Sequence, residues 1–77
     1  MLTLNEFKGK KHIVMDKPNH TVIMNRKRNG WNCIMIPRKY SISDLSYHTY
    51  GTDKEAYEFY LARMESYGFK KFTVLTE

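Results

Sequence analysis

Asn29-Gly30 lies between two apolar runs, and no other stretch constrains the chain as tightly. A two-residue type I′ turn needs φ > 0 at both central positions, which Asn and Gly reach at least cost. The pair predicts a β-hairpin in which Arg28 faces Trp31, Lys27 faces Asn32, Arg26 faces Cys33 and Met24 faces Met35. Such a hairpin carries three cations and a tryptophan at its tip, above a base that is apolar on both faces.

The punctuation around it places the other elements. Thr3 and Glu6 stand at capping-box spacing and Gly9 follows, which predicts one helical turn over residues 3–8. Strands are expected over Lys10–Asp16, Thr21–Lys27 and Trp31–Ile36, the last ended by Pro37 because proline has no N–H for a ladder. Lys17-Pro18-Asn19-His20 reads as the turn between the first two. With Asp16 opposite Thr21, one face collects Ile13, Met15, Val22, Met24, Cys33 and Met35. The other collects Val14, Ile23, Ile34 and Ile36, edged by His12, Asn25 and Asn32. A sheet with one wet face should alternate apolar and polar residues. This one is apolar on both, so the second face is covered within the domain or by a partner.

Residues 38–51 are rich in Ser and Tyr and read as a loop with a partial helical turn. Thr52 and Glu55 form a second capping box, Asp53 suits the first turn, and Gly68 with Phe69 suits a C-terminal stop. At 100° per residue, Ala56, Tyr57, Tyr60, Leu61, Met64 and Tyr67 share the core arc, which leaves Phe59 outside it beside Arg63. Lys70–Thr76 reads as a final strand. The expectation is one α+β domain over residues 1–77, an antiparallel three-stranded meander plus a C-terminal strand packed against one amphipathic helix.

Composition narrows the function. A chain of 77 residues is near the lower limit for a self-sufficient core, which makes association an expected source of stability. One cysteine excludes an internal disulfide and a Cys-based zinc site, and it suits a reducing compartment. No apolar run reaches bilayer length, and the N-terminus lacks the order of a signal peptide, so the expected location is cytoplasmic, without a membrane partner. The net charge of +5 is uneven. Residues 8–39 hold nine Lys/Arg against one acid, whereas residues 40–77 hold four against six. A basic half is the footprint of an acidic partner.

No reaction is named by the residues. His12, His20 and His48 lack metal-ligand spacing, Cys33 falls on an apolar strand face, the acids are scattered, and the four glycines stand singly. We therefore expect no catalytic, metal or cofactor-binding residues and no enzyme. The candidate partner-binding residues are a cationic ridge of Lys11, Arg26, Lys27 and Arg28, with Lys11 opposite Arg26 and Trp31 beside Arg28 for a cation–π contact. Phe59 and Arg63 form a second anchor, aromatic and arginine together as at interface hot spots. These imply a small non-catalytic regulator or inhibitor that docks on a larger protein, one of the nucleic-acid-handling machinery. The alternative is a module that binds RNA or DNA directly through the hairpin Arg26–Trp31.

Overall fold

The computed structural model describes residues 2–16, 18, 20–37, 45–65 and 71–75, the last as backbone only. The elements are α1 (Leu4–Lys8), β1 (His12–Asp16), β2 (His20–Lys27), β3 (Gly30–Pro37), β4 (Ser46–Tyr50), α2 (Asp53–Glu65) and β5 (Lys71–Leu75). They form an α+β fold with one antiparallel sheet in the order β4-β3-β2-β1-β5. Because every neighbour is antiparallel, β4 and β5 run the same way at opposite edges. The chain must cross the sheet between them, and α2 lies on that crossover.

The meander is present, as is the C-terminal strand, which pairs with β1. Asp16 pairs with Thr21 as expected. The hairpin departs from the expected register. Lys27 pairs with Gly30 and Arg26 with Trp31, so the two-residue loop is Arg28-Asn29 rather than Asn29-Gly30. Gly30 does hold a positive φ, 134°, but for another reason. The Tyr50 carbonyl and Gly51 pass directly against it, and an added Cβ would overlap them. Each β2 residue therefore pairs two positions earlier on β3 than expected, Met24 with Cys33 instead of Met35. An even offset keeps every side chain on its face.

The face assignments accordingly stand. Ile13, Met15, Val22, Met24 and Cys33 are buried, with Met35 packed at the margin, and the core closes over them with Phe7, Trp31, Ala56, Phe59 and Tyr60. On the opposite face Val14, Ile23 and Ile34 are half-buried and line up across β1, β2 and β3, continuing to Tyr47 on β4, which is 67% exposed. Beside this apolar row runs a polar one of His12, Asn25, Asn32 and Thr49, in which the His12 imidazole meets the Asn25 amide.

Two expectations fail here. Residues 46–50 form an edge strand, not loop, because β3 supplies them a five-residue ladder partner. Phe59 is buried, only 9% exposed, so α2 is rotated from the expected arc and its core side is Ala56, Phe59 and Tyr60. Tyr57, Leu61 and Met64 pack at its margins. The helix start agrees with expectation, since the Glu55 N–H donates to Thr52 Oγ1 at 3.2 Å and that hydroxyl donates to the Glu55 carboxylate at 3.1 Å. The helical turn at the N-terminus also forms, with both halves of the Thr3–Glu6 capping box made. The expected stop at Gly68 and Phe69, the Tyr67 packing and residues 38–44 lie outside the described residues. Among the described residues, no helix is long and apolar enough to cross a membrane.

Candidate functional site

Arg26 organises the basic end of the molecule from within. Its position in β2 alternates with Asn25 and Lys27, so its side chain leaves the sheet on the side of the core residues Val22 and Met24. There the guanidinium spends three donors on two chain segments, residues 8–10 and the start of α2. Nε donates to the Lys10 carbonyl at 2.9 Å, Nη2 to the Lys8 carbonyl at 2.8 Å, and Nη1 to Asp53 Oδ1 at 2.7 Å. The Lys8 carbonyl is one of the orphan acceptors at the end of α1, which a cation satisfies well.

Asp53 Oδ1 also accepts the Trp31 indole N–H at 2.9 Å. The Trp31 ring is 1% exposed, with Phe7 stacked on it at 4.7 Å and the Arg26 guanidinium 4.6 Å from its centroid. A buried indole needs an acceptor for its N–H, and Asp53 supplies it. Burial alone would raise the Asp53 carboxyl, but the hydrogen bonds from Trp31 and Arg26, with the charge of Arg26, hold it below the ordinary range. Tyr57 and Tyr60 complete the packing around Phe7 by gripping the Leu2 peptide. The Leu2 N–H donates to Tyr60 Oη at 2.7 Å, and Tyr57 Oη donates to the Leu2 carbonyl at 2.8 Å.

The expected ridge is thereby divided. Lys11 does lie opposite Arg26, whose N–H donates to the Lys11 carbonyl at 2.9 Å, but their like charge is relieved because Arg26 turns to Asp53. The cation–π partner of Trp31 is Arg26, not Arg28, as the shifted register requires. Trp31 is thus internal, and Arg26, its side chain a quarter exposed, has each guanidinium nitrogen engaged within the domain. Lys11, Lys27 and Arg28 remain exposed, and the Arg26 clamp on residues 8–10 brings Lys8 and Lys10 to the same end. Among the described residues, none of these five cations is paired with a carboxylate. A shallow cleft of about 240 Å³ lies beside them, lined by Lys27, Asn29, Asn32, Thr49 and Gly51 among others. It is smaller than the roughly 300–1,000 Å³ of pockets that enclose a small molecule.

Phe59 and Arg63 do meet, with the guanidinium 5.2 Å from the ring centroid. They meet against β3 and β4: the ring lies 5.5 Å from that of Tyr50, and Arg63 Nη1 donates to Met35 Sδ at 3.6 Å. The pair is packed into the domain, and Arg63 stands ten residues along α2 from Asp53, about 15 Å of helix rise from the basic end. The two halves of the expected site are therefore not brought together. Cys33 is buried on the core face, and burial pushes its thiol up to about 12, which leaves it no thiolate for nucleophilic chemistry at neutral pH. Among the described residues no cluster of three metal-ligating side chains exists. Sequence reasoning missed Asp53, Lys8 and Lys10; the one available signal was the acceptor that a buried Trp31 would need. Compared with protein-family models, with curated proteins and with solved structures, the chain matches none.

Proposed function

We propose that the protein is a non-catalytic docking module, a small regulator or inhibitor that seats its basic end on an acidic surface of a larger protein. The observation that carries this reading is the Arg26 clamp. It removes one cation and the tryptophan from the surface while gathering Lys8, Lys10, Lys11, Lys27 and Arg28 at one end. Five exposed or half-exposed cations, none of them in a salt bridge among the described residues, create a field that steers an acidic partner and sets its orientation. Trp31 lies in the core, so no aromatic at the tip is free to stack on single-stranded bases. A partner from the nucleic-acid-handling machinery fits where it offers an acidic surface, since a cationic end is repelled by a basic phosphate-binding groove. The lone buried Cys33 suits a cytoplasmic, reducing location.

Direct nucleic-acid binding remains the second reading, favoured by the same five cations and the polar cleft beside them. The two are separated with the wild-type protein and a variant carrying Ser at positions 8, 10, 11, 27 and 28. Protein docking predicts that a nuclease-treated lysate still yields a specific protein on the wild type and not on the variant. It also predicts weak binding to a short mixed-sequence duplex. Direct binding predicts the reverse, with duplex affinity falling with salt at a log–log slope of about −4.5, as expected for five neutralised phosphates.

A further inference from the structure

β4 ends the sheet, and the side of its backbone turned away from β3 has no ladder partner among the described residues. Natural edge strands are protected by lysine, proline, bulges or shortness. β4 has five residues in unbroken register with β3, Ser46-Tyr47-His48-Thr49-Tyr50, without lysine, proline or bulge. The other edge, β5, opens with Lys71. We propose that β4 is a homodimerisation edge, at which two copies pair antiparallel about a two-fold axis through His48 to form one continuous ten-stranded sheet.

Three observations select a second copy over a foreign strand. Residues 45–52 contain no Lys, Arg, Asp or Glu in a chain of net charge +5, so two copies meet there without the repulsion that opposes contact at their basic ends. The edge is self-complementary. Opposed residues in an antiparallel pair share a face, so the axis must pass through a residue, and only His48 lets all five residues pair. Ser46 then faces Tyr50 of the second copy, and Tyr47 faces Thr49, side chains that tolerate each other in the cross-strand position. Finally, Tyr47 ends the apolar row of Val14, Ile23 and Ile34 on the face away from the helices, and pairing at β4 sets it diagonal to Tyr47 of the second copy, within reach of an aromatic ring.

Sedimentation equilibrium over a concentration series tests this, using the wild type, His48→Lys, Thr49→Lys and the control Ala62→Lys on the exposed side of α2. His48→Lys sets two ammonium groups directly opposite at the axis, and Thr49→Lys supplies the missing edge charge on the other face. All these positions are exposed, and circular dichroism reports whether each variant folds. The expected result is a reversible monomer–dimer equilibrium for the wild type and Ala62→Lys. Its dissociation constant should rise about tenfold or more in each β4 variant. A wild type that stays monomeric throughout, one that forms larger species, or folded β4 variants that dimerise as the wild type does would overturn the proposal.

Discussion

Arg26 Nη1 lies 2.7 Å from Asp53 Oδ1, joining the first strand of the hairpin to the first turn of the long helix. The two side chains are 25% and 28% exposed, sheltered enough for the geometry to matter. With the Lys8 and Lys10 carbonyls on the same guanidinium, one residue fixes how α1, β1, the hairpin and α2 meet.

Replacing Arg26 with Ala leaves those acceptors and the Asp53 carboxylate without it, and charge-assisted hydrogen bonds of this kind are worth roughly 1.5–3 kcal/mol. We expect a loss of about 2 kcal/mol in urea unfolding. The same change at Arg28, on the exposed tip, should stay within about 0.5 kcal/mol. Equal effects at the two positions would remove Arg26 from its structural role.

Acid should act through Asp53. Its folded carboxyl titrates below the ordinary value of 3.8, so its contribution to stability is complete above the unfolded range and is lost as pH falls through the folded value. Melting temperatures of the wild type and Asp53→Asn should therefore differ most near neutral pH and converge below about pH 4. A gap that is constant down to strong acid would show that the carboxylate charge is not what matters.

Gly30 faces a steric limit rather than a turn preference. Its φ of 134° and the backbone at Tyr50 and Gly51 leave no room for a Cβ. Gly30→Ala should cost about 2 kcal/mol or more, and Gly30→Val more still. An alanine variant that melts with the wild type would mean the β4–α2 turn does not lie against the hairpin.

Phe59 now stands as a core residue against Tyr50 and His48. Phe59→Ala should destabilise by about 3 kcal/mol, as a buried aromatic truncation does, and Tyr60→Ala by a similar amount. A change below about 1 kcal/mol at Phe59 would return it to the surface, where helical periodicity alone had put it.

Much of this fold could be read from the residues, and the departures have physical causes. Asn29-Gly30 located the hairpin, but local turn chemistry could not register the Tyr50 carbonyl that Gly30 must admit, so the loop fell one residue away. The faces survived because the register error was even. β4 escaped notice because an exposed edge strand needs no apolar alternation; its Tyr and Thr content was the only local hint. Phe59 was misplaced because the apolar residues of α2 are not sharply segregated, with Tyr57 and Leu61 half-buried to one side and Arg63 half-buried to the other. The candidate site was legible as charge and illegible as geometry. Arg26, Lys27 and Arg28 are adjacent in sequence, yet alternation along β2 sends the first to the core side while the other two reach solvent.

The cations of this end divide into one clamp and five available groups. Thermal unfolding paired with salt elution from immobilised heparin tests this division, for Arg26→Ala and for the variant with Ser at positions 8, 10, 11, 27 and 28. The five-site variant should elute at much lower salt while melting close to the wild type, and Arg26→Ala should melt well below it. A five-site variant that elutes with the wild type would mean these cations are not available at the surface, and an Arg26→Ala that melts with the wild type would mean Arg26 is not a clamp.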